Sequence, residues 1–478
     1  MNKQVKKDVD IDAIERDVQG NILRSYSRHL VRHLMLEVTN VAAARRFLGV
    51  AANGGSEAVP AITPGSDWGK AKPPSNFNIG LTFEGLKALG VSRRTLQTFP
   101  VEFSQGMTKR AMKIGDFGDS APDKWPAPFD TPEKVHIVAS IHADEEGQLD
   151  KVEAQVAKAF TVLGVRDGRG LGRGKVFFGY KDSISQPRFK WVKDRTQATA
   201  DEPLDPLGTI LLGYPTSMED MSFRVPYPDA LGLNGSFNAF RILAQASYDY
   251  EIYLDEAADF LLKHKDVDLL LPPGAEKKVG KGLDRHAALR EIVAAQMCGR
   301  WRNGTPYETS PDTMDPDPDV SPTNFDYSAQ SRCPAGAHMR RANPRGGHIV
   351  QRIATYTRRL VRRGMSYGPD FDPDDFDRKN PDRRERGLLG NFLCANLGAQ
   401  FEAVMCDWLN VGLQTPSITG TNDPLLGANT AETSRFDLTL PDNAGTISIY
   451  GFPRFVTARG GAYTFLPSLT AIRYLSEL

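Results

Sequence analysis

One histidine and two groups of arginines lie close together between residues 333 and 368. His338 stands among small residues in CPAGAHMRRANPR, and the arginines follow in that segment and in IVQRIATYTRRLVRRGMSYG. The two groups are Arg340, Arg341 and Arg345, then Arg358, Arg359, Arg362 and Arg363. An imidazole can ligate iron and guanidinium groups bind carboxylates, so this combination suits an anionic metal cofactor such as haem. A solvated basic patch around an ordinary histidine explains the same residues, because charge runs usually face water.

Two acidic residues stand at the predicted ends of regular elements. Asp182 follows the strand-like KVFFGY in the segment GYKDSISQPRF, and Glu402 lies in the first turn of a helix predicted over 400–409. Taken alone, Asp182 is better explained as a capping residue beside a turn. Glu402 could complement the helix dipole, or it could hold a metal-ligating imidazole through its other nitrogen. The local sequence leaves both choices open.

The composition excludes several classes of protein. The chain has 478 residues, enough for two large domains or one duplicated fold, and its formal net charge is zero. Balanced charge gives no indication of a nucleic-acid partner, and no apolar run is long enough to cross a membrane. The polar N-terminus has no export signal, so we expect a cytoplasmic protein. The four cysteines form no CxxC pair, which argues against a disulfide framework or structural zinc.

Strands and helices alternate in the sequence pattern of both halves. In the first half, strands are predicted over 28–38, 76–82, 135–142 and 175–180, and helices over 42–48, 83–89, 103–114 and 145–163. In the second half, strands are predicted over 209–212, 236–243, 349–357, 388–397, 452–457 and 462–466, and helices over 248–263, 284–298 and 400–409. The order in the first half resembles a split βαβ, ferredoxin-like unit with an antiparallel sheet.

This pattern predicts an α+β fold made of two halves. We expect an N-terminal arm over residues 1–16, a first ferredoxin-like half over 17–195 and a second over 205–478. Each half should contain an antiparallel sheet flanked by helices.

Ten segments resemble, in the same order, motifs of the dye-decolourising (DyP-type) haem peroxidases. They are DVQGNILRSY, NIGLTFEGLKALGV, FSQGMTKRAMKIGDFGDSAPDKW, GYKDSISQP, GSFNAFRILAQ, AAQMCGRWRNGTP, CPAGAHMRRANPR, RRGMSYG, RGLLGNFL with QFE, and FVTARGGAYTFLPS. The segments cover nearly the whole chain, and the combination is similar to the longer, fungal- and cyanobacterial-like branch. The resemblance implies two ferredoxin-like halves of the dimeric α+β barrel type, with the haem held mainly by the C-terminal half.

The resemblance also implies a role for each matched residue. The implied site consists of the proximal iron ligand His338, the distal catalytic pair Asp182 and Arg362, the propionate-binding Arg345, the acidic partner Glu402 of the proximal imidazole, and Leu388 and Gly390 beside the cofactor. The chain has no CxxCH motif for covalent attachment, so the expected cofactor is haem b. The implied reaction is oxidation of small aromatic donors, such as dyes and phenols, by hydrogen peroxide.

The residue types suit this chemistry. Peroxide must lose a proton and receive one on its outer oxygen, which a positioned carboxylate such as Asp182 can manage. Charge develops on the departing oxygen, and a fixed guanidinium such as Arg362 stabilises it.

Three positions depart from the family pattern. Ser183 stands where a second glycine follows the distal Asp, so the presentation of Asp182 is expected to change. Ser366 stands where proline is common. Gly390 stands where a distal phenylalanine is usual, and losing that ring should open space over the haem and make the pocket wetter.

Two other functions remain open on the sequence. A haem-binding sensor or carrier with little turnover is favoured somewhat by Ser183 and Gly390, whereas a chlorite-dismutase-like module is disfavoured by the number of matched motifs. His348 is a rival iron ligand close to His338, but it lies outside the matched motif. The sequence leaves open whether the protein is a monomer or a dimer.

Overall fold

The computed structural model of the chain describes residues 10–66, 68, 71–172, 174–190, 192, 203–218, 221–327, 330–347 and 358–478. The strand predicted over 349–357 and the rival ligand His348 lie outside these residues. None of the helices in the described ranges combines the length and apolarity needed to cross a membrane.

Eight strands of the described chain close into one antiparallel barrel. They are β1 Leu30–Glu37, β2 Ser75–Leu81, β3 Ile137–Ala143, β4 Thr161–Arg169, β5 Ser236–Gln245, β6 Val361–Tyr367, β7 Gly387–Cys394 and, last in the chain, Val456–Leu466. A separate hairpin precedes this last strand in the chain. Its two strands are β8 Arg435–Thr439 and β9 Thr446–Tyr450, and the last barrel strand is therefore numbered β10.

The order around the barrel follows the two halves of the chain. It runs β1-β3-β2-β10-β5-β7-β6-β4 and returns to β1. The first half thus contributes β4, β1, β3 and β2 side by side, and the second half contributes β10, β5, β7 and β6. The halves meet at two seams, where Phe465 pairs with Leu81 and Arg169 pairs with Ser366. This architecture confirms the predicted α+β fold with two ferredoxin-like halves.

Helices pack against the strands of the barrel. The α-helices are Ile11–Asp17, Gly20–Leu23, Val41–Ala52, Phe83–Ala88, Arg93–Leu96, Val101–Lys109, Glu146–Val156, Asp229–Gly232, Ser247–Leu262, Val267–Leu270, Glu276–Val279, Arg285–Cys298, His338–Ala342 and Leu469–Ser476. Two π-helices, Leu397–Glu402 and Val404–Asn410, occupy the segment predicted as a helix over 400–409. The first helix lies largely in the segment expected as a loose arm, and its Ile14 is buried against Val361 and Leu393 of the barrel.

Local sequence signals explain several helix boundaries. Asp284 accepts a hydrogen bond from the backbone N–H of Ala287 and begins the helix Arg285–Cys298, which ends at Gly299 in a left-handed conformation. Ser468 caps the last helix by accepting from the N–H of Ala471. The helix predicted over 284–298 agrees with the structure to within one residue, because caps flank it on both sides.

Four predicted elements are wrong, one of which is the strand over 452–457: only its last two residues belong to a strand, β10, which continues through the strand predicted over 462–466. The helix predicted over 145–163 ends at Val156. The last residues of that prediction belong instead to β4, which is the fourth strand of the first half. The segment 175–180 forms turns instead of a strand, and its Phe177, Phe178 and Tyr180 are buried. The segment 209–212 begins at the last residue of a short 3-10 helix, Leu207–Thr209, and is buried without forming a strand. These loop segments are apolar because they are buried, and an apolar composition is also typical of strands.

Candidate functional site

His338 is the first residue of the short helix His338–Ala342, and its imidazole is held by a buried carboxylate. Its Nδ1 lies 3.0 Å from Oδ2 of Asp423, whose side chain is fully buried. The side chain of His338 itself is 26% exposed. Because Nδ1 is engaged by the carboxylate, Nε2 is the ring nitrogen that remains for a ligand.

Asp423 is fixed in turn by the loop that carries it. Its Oδ1 accepts hydrogen bonds from the backbone N–H groups of Leu425 at 2.9 Å and Leu426 at 2.8 Å. Burial by itself raises the pKa of this carboxyl, but His338 and the backbone donors outweigh it and hold the pKa below its usual value. Burial likewise opposes charge on His338, but the carboxylate raises the pKa of the imidazole. The pair therefore behaves as one polarised unit.

The buried side chain of Arg341 joins the helix of His338 to the loop of Asp423. Its guanidinium donates to the carbonyl oxygens of Gly336 at 3.0 Å, Trp408 at 3.2 Å and Thr421 at 3.0 Å. One cation thus connects the residues before His338 with those before Asp423, which explains how two distant segments keep their 3.0 Å contact.

Glu402 does not contact His338, so the predicted acidic partner is wrong. Its carboxylate accepts from Arg110 at 2.9 and 2.5 Å and from the hydroxyl of Tyr463 at 3.0 Å. Glu402 is fully buried in the first π-helix and connects the C-terminal half to the segment after the helix Val101–Lys109. Asp423 was missed because its sequence context, TNDPLL, indicates only an ordinary turn.

The neighbouring strands β6 and β7 present the other predicted residues on one face. Arg362 pairs with Phe392, Gly364 with Gly390, and Ser366 with Leu388. Directly paired residues of antiparallel strands project to the same side, so Arg362, Gly390 and Leu388 share a surface. The predicted site residues of these two strands are therefore brought together by the register.

The guanidinium of Arg362 is anchored by the segment that follows Asp182. It donates to the carbonyl oxygen of Ser185 at 2.7 Å, and the backbone N–H of Arg362 donates to Oε1 of Gln186 at 2.9 Å. Burial lowers the pKa of Arg362 to about 10, with the charge of Arg359 in the same direction and that of Asp182 opposed. Although Arg362 lies deep in the protein, its side chain is accessible, so it faces an internal space. Arg362 also lowers the pKa of His338, which shows that the two groups interact electrostatically.

Asp182 is accessible and lies in a tight turn. Its Oδ1 accepts from the N–H of Ser183 at 2.7 Å, and its own N–H donates to the carbonyl of Gly174 at 2.9 Å. Ser183 has a φ of 56°, in the left-handed region that glycine adopts most easily. The serine holds this turn at a local cost of about 1 kcal/mol.

The ring of Phe392 covers Gly390, so the open space predicted above this glycine is filled. A Cβ atom at Gly390 would lie 2.7 Å from Cε2 and 3.1 Å from Cζ of Phe392. Phe392 is half-buried and packs against Phe401, with ring centroids 5.7 Å apart. The missing ring is thus supplied from two residues further along the same face of β7.

Gly390→Phe is expected to destabilise the protein, because two rings would then compete for one space. Overpacking of this kind typically costs about 1–3 kcal/mol. The double variant Gly390→Phe with Phe392→Ala, which moves the ring back along the strand, should recover much of that loss. Urea unfolding midpoints of the three proteins check this, and a single variant as stable as the unaltered protein contradicts the packing described.

Arginines without carboxylate partners surround the loop before His338. Arg345 donates to the carbonyl oxygens of Thr323 at 2.7 Å and Phe325 at 2.9 Å, and lies 4.1 Å from the centre of the Phe325 ring. Arg300 is buried, burial lowers its pKa, and it too donates to backbone carbonyls. Within the described ranges, neither of these arginines nor Arg340 forms an ion pair with a carboxylate. Sequence reasoning missed Arg300, which lies in the matched segment AAQMCGRWRNGTP but carried no separate signal.

Comparison with known proteins agrees with this fold. Residues 17–163 match the family model of the DyP dimeric alpha+beta barrel domain. A dye-decolorizing peroxidase of Mycetinis scorodonius is 27% identical over 96% of this chain and 86% of its own length. A multifunctional dye peroxidase of an Amycolatopsis species is also 27% identical, over 96% of this chain and 95% of its own.

Solved structures of the same kind superpose along nearly the whole chain. A dye-decolorizing peroxidase in complex with 2,6-dimethoxyphenol is 26% identical and covers 97% of this chain and 99% of its own, with a TM-score of 0.76. The family model, the curated relatives and the structures point the same way. All three point to the DyP-type peroxidase family, in its fungal branch.

Proposed function

We propose that this enzyme binds one haem b through Nε2 of His338 and uses hydrogen peroxide to oxidise small aromatic donors, including dyes and phenols. The observation that carries the proposal is the His338–Asp423 pair, at 3.0 Å, with Arg362 in electrostatic range of the imidazole. The names of the relatives support the substrates, since they are dye-decolorizing peroxidases and one solved structure holds 2,6-dimethoxyphenol.

The residues present fit a haem. The cofactor requires an axial nitrogen, cations for two propionates and an apolar surface for the ring. His338 would supply the first, while Arg300, Arg340 and Arg345, which lack carboxylate partners in the described ranges, suit the second. Leu388, Gly390 and Phe392 share the face of β7 that would lie against the ring. When bound, the haem would supply the iron at which peroxide is reduced.

On the proximal side, Asp423 does the work that the sequence assigned to Glu402. The buried carboxylate accepts the Nδ1–H of His338, fixes the orientation of the ring and makes Nε2 a stronger electron donor. The two backbone N–H groups on Oδ1 keep the carboxylate ionised in a buried place. Asp423 is thus a positioning residue that acts through His338.

On the distal side, we assign proton transfer to Asp182 and charge stabilisation to Arg362. The Asp182 carboxylate would accept a proton from the inner oxygen of peroxide and return it to the outer oxygen, which leaves as water. The guanidinium of Arg362 would stabilise the negative charge that develops on the leaving oxygen. The hydrogen bond from Arg362 to Ser185 links the two groups through one short segment, so they keep their relative position.

Two residues favoured a haem sensor or carrier on the sequence. Ser183 keeps a left-handed backbone with a φ of 56°, and Phe392 fills the space above Gly390, so we favour peroxidase turnover. A direct test of the proposed function is oxidation of 2,6-dimethoxyphenol by the purified protein. We expect turnover that requires both hydrogen peroxide and bound haem. A haem-loaded protein without turnover would support the haem carrier instead.

Asp423→Asn is expected to raise the reduction potential of the bound iron and to weaken haem affinity or activity by about 10–100-fold. Asparagine keeps the shape of the side chain but removes the charge that makes the imidazole electron-rich. The matched control is Glu402→Gln, which removes a buried carboxylate that does not contact His338. Redox titration of both proteins separates the roles: a shifted potential in Glu402→Gln alone would restore the original assignment.

A further inference from the structure

A layer of polar side chains crosses the inside of the barrel, on the opposite face of β6 from Arg362. It is formed by Tyr26, Asn76, Asn78, His142, Asn238, Arg363, Asn391 and Thr464, which we call the polar layer. Strand register places Arg363 opposite Asn391, Asn238 opposite Thr464, and Asn76 opposite His142. Because neighbouring residues of a strand project to opposite faces, Arg363 and Arg362 serve separate spaces.

Arg363 is a cation without a carboxylate partner. Its Nε donates to the carbonyl oxygen of Asn21 at 3.0 Å, and no acidic side chain pairs with it in the described part of the chain. Burial lowers the pKa of Arg363 to about 10, which still leaves it charged at neutral pH. An unpaired charge inside a protein is costly unless an opposite charge or a set of hydrogen bonds compensates it.

The titratable neighbours of Arg363 do not supply that compensation. Burial raises the pKa of Tyr26, whose hydroxyl donates to Oδ1 of Asn78 at 2.7 Å, so the phenol is neutral. Burial lowers the pKa of His142 to about 4, so this imidazole is neutral as well. Arg28, the other nearby cation, is paired with Asp144 at 2.7 Å. The polar layer therefore carries one net positive charge.

Among the described residues, three amide atoms in or beside the layer also have no hydrogen-bond partner. They are Oδ1 of Asn21, Nδ2 of Asn76 and Oδ1 of Asn238, and their side chains belong to residues at most 7% exposed. Native proteins leave few buried polar atoms unsatisfied, so orphaned donors and acceptors indicate an unassigned polar partner. His142 and Arg363 remain partly accessible despite their depth, which shows that space adjoins them.

We infer that the polar layer binds one small monovalent anion, such as chloride, on the guanidinium of Arg363. A single negative charge balances the one cation of the layer, and the guanidinium N–H groups can donate hydrogen bonds to it. The orphaned acceptors of Asn21 and Asn238 would then be satisfied by water that the anion holds in place. The site is separate from the proposed haem site and would contribute to stability, since a ligand that binds only the folded state stabilises it.

The test compares thermal unfolding of the haem-loaded protein in sodium chloride and in sodium gluconate at equal ionic strength, because gluconate is too large to enter the barrel. We expect a saturable rise in Tm of a few degrees with chloride, and no such rise in Arg363→Met. The control Arg169→Met removes an exposed arginine of β4 and should keep the full chloride response. An equal chloride response in Arg363→Met, or none in the unaltered protein, overturns the proposal.

Two further measurements keep the test decisive if Arg363→Met does not fold. Asn21→Asp adds a carboxylate to the residue whose backbone carbonyl accepts from Arg363, and it should raise Tm in gluconate while weakening the chloride response. Crystals soaked in bromide should show an anomalous scattering peak in contact with Arg363. A chloride response in Asn21→Asp equal to that of the unaltered protein, or the absence of a bromide peak, contradicts anion binding at Arg363.

Discussion

Replacing His338 with alanine is expected to remove the characteristic Soret spectrum of a histidine-ligated haem and to lower peroxidase activity by more than about 100-fold. Losing a residue that only supports a metal ligand already costs about 10–100-fold, and loss of the ligand itself should cost more. The helix His338–Ala342 should survive, because alanine is a good helix former.

The controls separate ligand loss from general damage. His286→Ala changes a histidine that pairs with Asp259 on distant helices, and it should leave the spectrum unaltered. Added imidazole should partly restore the spectrum of His338→Ala by occupying the place of the side chain. If His338→Ala keeps the normal spectrum and activity while His348→Ala loses both, the iron ligand is His348.

Asp182→Asn and Arg362→Leu are expected to slow the reaction with peroxide while haem remains bound. Losing general acid–base help typically costs about 10²–10⁴-fold, and losing an electrostatic stabiliser about 10²–10³-fold. The double variant should be only slightly slower than the slower single one, because the two groups act on the same step. Stopped-flow recording of the peroxide-dependent change in the haem band measures each rate.

A neighbouring charge provides the control for these distal variants. Lys181→Met changes an exposed residue next to Asp182 in the chain, and the rate should stay within about threefold if position, and not net charge alone, determines it. Rates for Asp182→Asn and Arg362→Leu that equal the unaltered rate would show that the distal assignment is wrong.

The sequence predicted the site better where the residues lie on regular elements than where they lie on loops. Arg362, Leu388 and Gly390 come together because β6 and β7 pair in register. The pattern of β7 indicated a strand over 388–397, whereas β6 was not predicted as a strand and Arg362 was assigned from the motif RRGMSYG alone. Asp423 was not predictable, because its contact with His338 joins residues 85 apart through a loop fixed by Arg341. Glu402 was assigned by motif alone, and the wider turn of its π-helix directs it toward Arg110 and Tyr463 instead.

Two other differences have the same physical origin. A glycine at residue 390, where the motif has a ring, indicated open space. Packing requires only that some ring fill this space, and Phe392 fills it. The buried turns around Phe177 and Phe178 were mistaken for a strand because composition reports burial and not hydrogen-bond pairing. Local pattern thus gives the face that an element buries, while contacts between distant loops need the folded chain.

The measurement that tests the central claim most directly is the absorption spectrum of the purified protein before and after one equivalent of hydrogen peroxide. We predict a Soret band at one haem per chain, a shift of that band within seconds of adding peroxide, and its return when 2,6-dimethoxyphenol is added. A protein that binds no haem, or whose haem band does not respond to peroxide, would contradict the assignment of this site as a peroxidase centre.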